Sequence, residues 1–208
     1  MNTEEYGKMR ESEDHYWWFV SRRRLALELF EKHHPSRSKT LDLGCGTGAL
    51  LTELQTSNWS AGLDYSALAL EFCHERGINH LVNGNAERLP YAGGTFDSVV
   101  SLDTLEHVED DGAAVAEIFR SLEPGGTFVV NVPAFKWLWG PHDVALMHHR
   151  RYTASQLRSL LEGAGFEVKK LSYSVFFLFP IVVLIRFLDK FKFGPPKVSL
   201  PKVSGGFN

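Results

Sequence analysis

The segment Leu41–Gly48, LDLGCGTG, constrains the fold of this chain more than any other part of the sequence. The apolar run at 40–43 predicts a short buried strand, and a helix-forming run, 49–54, begins directly after the last glycine. Glycines in such a turn allow a tight backbone path and let a ligand approach the main chain closely. The first N–H groups of the helix remain available to an anionic group. The segment therefore predicts a ligand-binding loop inside an α/β unit.

Strand and helix patterns alternate after this loop. Strands are predicted at 60–63, 81–83, 96–102, 127–132 and 166–171, and helices at 67–75, 112–122 and 153–164. Strands separated by helices of this length favour a parallel sheet with right-handed crossovers. The loop at 133–151 is long, aromatic and rich in histidine, which is typical of a functional loop or an insertion.

The two ends of the chain differ in composition from this α/β region. Residues 1–14 are polar and are predicted to be mobile, and the aromatic run 15–19 precedes a helix that Ser21 would cap. We divide the chain into an aromatic and helical lid segment, 1–34, an α/β domain that carries the glycine loop, 35–192, and a flexible tail, 193–208.

Charge and cysteine content exclude several classes of protein. The net charge is −3, which gives no overall electrostatic reason to bind nucleic acid. Two cysteines, Cys45 and Cys73, are too few for a disulfide framework, and the polar start of the chain lacks the pattern of a secretion signal. We therefore expect a cytoplasmic protein.

The apolar segment 175–190 leaves three alternatives open. Its core, VFFLFPIVVLI, is shorter than the roughly 20 apolar residues that a membrane-spanning helix needs. It can complete the core, form a dimer contact, or touch the inner face of a membrane peripherally, with lysines following it. The chain is accordingly expected to be a monomer or a homodimer.

An acidic residue at the end of one strand and an amide residue after another extend the ligand site suggested by the glycine loop. Asp64 ends the second strand, where a carboxylate can accept hydrogen bonds from both hydroxyls of a ribose or cap the next helix. Asn85 follows the third strand, and its amide can pair with an adenine edge. In parallel sheets, ligands bind beyond the carboxyl ends of the strands, which is where these residues are predicted to lie.

The motifs LDLGCGTG, GLDYS, GNAERLPY, FDSVVSLDTLEHV and LEPGGTFVV together resemble, in order, those of the class I S-adenosylmethionine-dependent methyltransferases. The resemblance implies a three-layer, Rossmann-like α/β fold whose mostly parallel sheet has seven strands and helices on both faces. It implies S-adenosylmethionine as cofactor and S-adenosylhomocysteine as product. The cofactor-binding residues that it implies are Asp42, Gly44, Cys45, Gly46, Gly48, Asp64, Tyr65, Asn85, Ala86, Glu87, Ser101 and Leu102. Asn85 departs from the pattern, because relatives commonly carry Asp there.

The sequence says less about which molecule accepts the methyl group and which residues bind it. Arg22 could pair with the carboxylate of the cofactor, since a guanidinium suits that geometry, although a solvated helix face explains it equally. The flanking runs HYWWFVSRRR and HHRRYT resemble a bacterial subgroup associated loosely with cell-envelope glycans and lipids. We expect a small-molecule or lipid/glycan-linked acceptor and O-methylation; C-methylation of a quinone-like ring and a non-catalytic cofactor-binding module are the alternatives.

Histidines supply the candidates for a catalytic base. An oxygen acceptor must lose a proton, and His is suited to accept it near neutral pH. The candidates are His107, His142, His148 and His149. Their spacing along the chain matches no zinc signature, so we expect no metal site.

Overall fold

The computed structural model describes residues 3–33, 39–174, 179–180 and 183–184. The helices are α1 (Thr3–Ser12), α2 (Trp17–His33), α3 (Ala49–Leu54), α4 (Ala67–Glu75), α5 (Asp111–Ser121), α6 (Pro141–Ala145) and α7 (Ala154–Gly163). The strands are β1 (Lys39–Leu43), β2 (Trp59–Asp64), β3 (Leu81–Asn83), β4 (Phe96–Leu102) and β5 (Leu122–Asn131). Short 3-10 turns lie at Leu105–His107 and Lys136–Leu138.

The strands form one parallel sheet in the order β3-β2-β1-β4-β5. This confirms the predicted α/β class, but the described residues contain five strands where the resemblance implied seven. The strand predicted at 166–171 is wrong: this segment has no regular secondary structure and pairs with no strand of the sheet. It is held by side-chain packing instead, since the ring of Phe166 lies 5.0 Å from that of Phe119 and 5.4 Å from that of Phe128.

Apolar side chains cover both faces of the sheet, which makes the fold three-layered. On one face, α5 and α7 pack Ile118 and Leu161 against Leu41 of β1. On the other face, α2 packs Phe30 against Val100 of β4. Strands β1 and β2 are buried on both sides after their first residue, as expected for a parallel sheet covered by helices, although polar residues such as Thr40, Asp42 and Ser60 lie within them.

One of the predicted caps lies at its helix start: Thr153 caps α7 through a reciprocal pair with Gln156. Helix α4 is capped by Ser66, which accepts a hydrogen bond from the backbone of Ala69, and not by Asp64. The prediction that Ser21 begins a helix is wrong, because α2 begins at Trp17. The hydroxyl of Ser21 instead donates to the Trp18 carbonyl within that helix.

The expectation that residues 1–14 are mobile is wrong for the part that the structure describes. Helix α1 buries Tyr6, and the turn after it buries Glu13. The Glu13 carboxylate accepts a hydrogen bond from the guanidinium of Arg76 at 2.6 Å and another from the hydroxyl of Thr47. An apolar residue and a buried charge pair thus fix a segment whose overall polarity suggested disorder.

Among the helices that the structure describes, none is long and apolar enough to cross a membrane. The segment 175–190 lies almost wholly outside the described residues, as does the tail 193–208.

We predict that Gly44→Ala will destabilise the fold by about 2–4 kcal/mol. Gly44 has a φ of +75°, and a Cβ there would lie 2.1 Å from Oγ1 of Thr104, whose hydroxyl donates to the Leu43 carbonyl. Gly77→Ala is the matched control, because Gly77 has a φ of +79° with nothing within 4 Å of a Cβ. Urea unfolding should show a loss of only about 1–2 kcal/mol for the control. Equal losses in both variants would show that the Thr104 contact is unimportant.

Candidate active site

The glycine loop is built at the carboxyl end of β1. Gly44, Gly46 and Gly48 have φ values of +75°, +54° and +88°, a conformation that side-chain-bearing residues rarely adopt. The backbone N–H groups of Gly44 and Cys45 both donate to the Leu63 carbonyl, at 2.7 and 3.1 Å. The loop is therefore bonded to the neighbouring strand before any ligand binds.

Asp64 joins the end of β2 to this loop. Its Oδ2 accepts from the backbone N–H of Gly46 at 2.9 Å, and its Oδ1 accepts from that of Ser66 at 2.8 Å. Burial raises the pKa of Asp64, and the two backbone donors oppose that rise. Each carboxylate oxygen keeps a further lone pair, so both can still accept a hydroxyl.

Two of the residues predicted to contact the adenine, Tyr65 and Asn85, are exposed to solvent. Tyr65 is 82% exposed, so its ring face is available for stacking. Asn85 is exposed as well, and its Oδ1 accepts from the backbone N–H of Glu87 at 3.0 Å. Ala86 between them is buried, and Glu87 accepts from the Asp110 backbone at 3.0 Å, which fixes the turn to the start of α5.

Polar atoms lie unpaired beneath the loop. Among the described residues, neither Oδ2 of Asp42 nor Oγ of Ser101 has a hydrogen-bond partner, and both residues are buried. Burial, with Asp64 and Glu13 nearby, raises the pKa of Asp42 to about 8. Cys45 and Cys73 are both free thiols with sulfur atoms 4.0 Å apart. Unpaired buried oxygens beside positive-φ glycines fit a polar ligand such as an amino-acid group.

One open cleft of about 2060 Å³ begins at the glycine loop and reaches the loop 133–151. Sites for a single small ligand are usually about 300–1,000 Å³, so the cleft has room for two. The predicted site residues that line it are Arg22, Gly44, Gly46, Asp64, Tyr65, Asn85, Ala86, Glu87, Leu102, His107, His142, His148 and His149. The others, Asp42, Cys45, Gly48 and Ser101, lie behind that surface.

Arg22 lies on the cleft wall in an ion pair with Asp103. Its guanidinium carbon lies 5.7 Å from the ring centre of Trp18 and 5.5 Å from that of Phe19. Burial lowers the pKa of Arg22 to about 10, with Glu106 opposing that effect. The predicted contact of Arg22 with a cofactor carboxylate stays a prediction, and Asp103 is a partner that the sequence did not indicate.

Asp143 anchors the histidine-rich loop. Its buried carboxylate accepts from Arg151 at 2.7 and 3.1 Å and from the backbone N–H of Gly140 at 2.8 Å. Burial would raise its pKa, but these donors and His148 outweigh burial and lower it. Of the candidate bases, His148 binds this carboxylate, with its Nδ1 2.9 Å from Oδ1 of Asp143.

Three of the cleft's ionisable residues, Glu106, His107 and His148, come together at the foot of this loop; we call them the Glu106 cluster. One donor atom from each lies within 4.8 Å of the others, and Nε2 of His148 lies 3.9 Å from Oε1 of Glu106. Burial raises the pKa of Glu106 to about 8, and burial together with His148 lowers that of His107 to about 4. The sequence missed Glu106, although it directly precedes His107.

Three residues other than glycine with a positive φ lie on or next to the wall of the cleft that carries the Glu106 cluster. Asp103, Phe135 and Met147 have φ values of +50°, +61° and +58°, which is unusual for residues other than glycine. Asp103 and Phe135 line the cleft, and Met147 directly precedes His148. Strain of this kind persists where the surrounding structure enforces it, often at functional sites.

The sequence matches known methyltransferases. The family model for the methyltransferase domain matches residues 41–130. A probable S-adenosylmethionine-dependent methyltransferase of Mycolicibacterium smegmatis is 32% identical over 167 residues, which cover 76% of this chain and 62% of that protein. A demethylmenaquinone methyltransferase of Lactiplantibacillus plantarum is 37% identical over 108 residues, or 47% of this chain and 46% of that protein. The chain thus spans less than two thirds of either relative.

The fold is shared with solved structures. The crystal structure of a methyltransferase from Thermotoga maritima, described as a possible histamine N-methyltransferase, aligns with a TM-score of 0.66 at 24% identity. The alignment covers 79% of this chain and 77% of that one. The sequence and fold comparisons together confirm the resemblance drawn from the motifs.

We predict that Asp42→Asn will remove a pH dependence of stability. In the folded chain, Asp42 keeps its proton up to about pH 8, whereas in the unfolded chain it loses that proton near the ordinary aspartate pKa of 3.8. The contribution of Asp42 to the free energy of unfolding is therefore fully present below about pH 4 and is lost as the pH rises to about 8. Between about pH 5 and pH 8, the free energy of unfolding measured in urea should fall by several kcal/mol more for wild type than for the variant. Parallel losses would contradict the raised pKa.

Proposed function

We propose that this chain, whose residues 41–130 form a class I S-adenosylmethionine-dependent methyltransferase domain, methylates an oxygen atom of a small-molecule or lipid-linked acceptor. The observation that carries the proposal is the Asp64 carboxylate bonded to Gly46, at the mouth of a cleft large enough for two ligands. Beyond the loop, the same cleft presents histidines and a buried carboxylate to the second ligand.

The cofactor supplies a methyl group bound to a positively charged sulfur, which makes the methyl carbon reactive. Asp64 would accept hydrogen bonds from the ribose hydroxyls, and the exposed ring of Tyr65 would cover the adenine. Asn85 can accept from the adenine amino group through its amide oxygen, as an Asp in that position would. The glycines let the loop backbone lie against the amino-acid part.

The protein's main task in methyl transfer is to align two reactants, and the loop 133–151 is built to hold the second one. Asp143 and Arg151 fix this loop, and Arg150 ties it to α5 through an ion pair of 2.7 Å with Asp111. An oxygen acceptor must also lose its proton. His148 would assist this proton loss. Asp143 accepts a hydrogen bond from its Nδ1–H, which leaves the Nε2 lone pair free on the side that faces Glu106.

A second candidate is C-methylation of a quinone-like ring. The match to a demethylmenaquinone methyltransferase favours it, although that match covers 47% of this chain. The non-catalytic alternative predicts cofactor binding without transfer. With an isotopically labelled methyl group, the carbon shift of the product separates an O-methyl from a C-methyl group, and absence of product with bound cofactor supports the non-catalytic module.

We predict that Asp64→Ala will weaken S-adenosylmethionine binding by about 2 kcal/mol, or roughly 30-fold, because a pair of charge-assisted hydrogen bonds is lost. Isothermal titration calorimetry measures the change. Asp97→Ala is the control, since Asp97 lies at the opposite end of the sheet, where it accepts from the backbone N–H of Lys39 at 2.7 Å. Unchanged affinity for Asp64→Ala would remove the ribose assignment.

We predict that His148→Ala will lower methyl transfer about 10²–10⁴-fold while leaving cofactor affinity within about twofold. The loss follows from removing a ring nitrogen that assists proton loss, on the part of the wall remote from Asp64. The measurement is label transfer from S-adenosylmethionine to a panel of phenols, hydroquinones and sugar alcohols. His80→Ala, an exposed histidine beside Trp59, should retain wild-type rates. A fully active His148→Ala would show that the cluster does not assist transfer.

A further inference from the structure

We propose that the Glu106 cluster, formed by Glu106, His107 and His148, binds one divalent transition-metal ion, with zinc as the best fit. Two imidazoles and one carboxylate form a donor set that such ions accept readily, and a neutral imidazole with a carboxylate is typical of open zinc sites. The site itself is independent of the proposed function. Its use in activating an acceptor rests on that function.

The geometry of the cluster is close to that of a coordination sphere. Metal bonds of about 2.0–2.2 Å to nitrogen and oxygen place neighbouring ligand atoms roughly 3–3.5 Å apart. The three donor atoms lie within 4.8 Å of one another, and the separation of Nε2 of His148 from Oε1 of Glu106 is already 3.9 Å. The rings of His107 and His148 meet edge to face at 4.7 Å. Small side-chain rotations therefore close the site.

An outer hydrogen bond orients the ring of His148 as it does at metal centres. A metal-binding histidine usually donates its second N–H to a carboxylate or a backbone carbonyl, which fixes the tautomer and the direction of the lone pair. The Nδ1 of His148 binds Oδ1 of Asp143 at 2.9 Å, and Asp143 is itself held by Arg151. The Nε2 of His148 is thus kept for the cluster.

The carboxylate of Glu106 lacks the partners that burial requires. Glu106 is 0% exposed, and neither Oε1 nor Oε2 accepts a hydrogen bond from another described residue. Its facing neighbour, Nε2 of His148, is an acceptor too, because Asp143 holds the proton on Nδ1. One positive charge between this buried carboxyl group and the facing imidazole nitrogen, either a proton or a metal ion, satisfies both groups. A metal ion would take the place of the proton.

The position of the cluster suggests what the ion would do. Glu106 and His107 end a short turn after β4, and both line the cleft with His148, beyond the glycine loop. Three protein ligands leave a coordination position open toward the cleft, as in catalytic zinc sites. If the proposed function holds, that position would take the acceptor's oxygen and lower the pKa of its hydroxyl, whose proton would pass to water in the open cleft; His148 would then act as a metal ligand and not itself as the base.

The test is direct metal binding to the full chain. Chelator-treated protein is titrated with Zn²⁺ by calorimetry and with Co²⁺ by visible absorption, which reports nitrogen and oxygen ligation. We expect one equivalent of each ion to bind and Zn²⁺ to raise the melting temperature. Glu106→Gln and His148→Gln, which keep side-chain volume, should each weaken binding by more than about 100-fold, since each removes a ligand.

His149→Ala is the matched control, because His149 adjoins His148 in sequence and is exposed. Its affinity for Zn²⁺ should equal that of wild type. The proposal is overturned if wild type binds no ion, if the two cluster variants bind as tightly as wild type, or if the control loses binding equally. Titration of the same metal-free sample with S-adenosylmethionine tests the proposed function separately, because the predicted cofactor contacts lie on Asp64 and the glycine loop.

Discussion

All strands of the sheet run parallel, so their carboxyl ends converge on one edge, and the site depends on this constraint. The glycine loop follows β1, Asp64 ends β2, and the turn carrying Glu106 and His107 follows β4. Residues far apart in the sequence therefore meet without any special contact having to draw them together. The hydrogen bond from the backbone N–H of Gly46 to Asp64, at 2.9 Å, connects the ends of the two neighbouring strands. It sets the shape of the half of the cleft that is predicted to bind the cofactor.

The acceptor half is organised around buried charge. Asp143 is fully buried and is compensated by Arg151, Gly140 and His148, so that its pKa falls in spite of burial. Glu106 is equally buried and receives no such donors from other described residues, and its pKa rises. Two carboxylates on one wall thus experience opposite environments. The first serves to position a histidine, and the second leaves a centre able to hold a proton or a cation.

The sequence predicted the regular part of this fold because local patterns determine it. Apolar runs located β1, β2, β3 and β4, and the glycines with Asp64 located the loop. The sequence could not predict that α1 and the turn after it are ordered. Their residues Tyr6 and Glu13 become buried only through contacts with distant residues such as Arg76. A strand was wrongly predicted at 166–171, because alternating apolar residues satisfy side-chain packing on Phe119 and Phe128 as well as strand pairing.

The Glu106 cluster shows the same limit at the site itself. His107 and His148 are 41 positions apart, and His148 is one of several histidines in its loop, so no spacing rule selects the pair. Their meeting depends on the way Asp143 and Arg151 fold the loop back. A crystal structure of the chain with S-adenosylhomocysteine would test whether Asp64 and the glycine loop bind the cofactor. We predict both ribose hydroxyls on the carboxylate of Asp64 and the amino-acid part against Gly44–Gly48. A ligand bound elsewhere, with Asp64 contacting only the protein backbone, would contradict it.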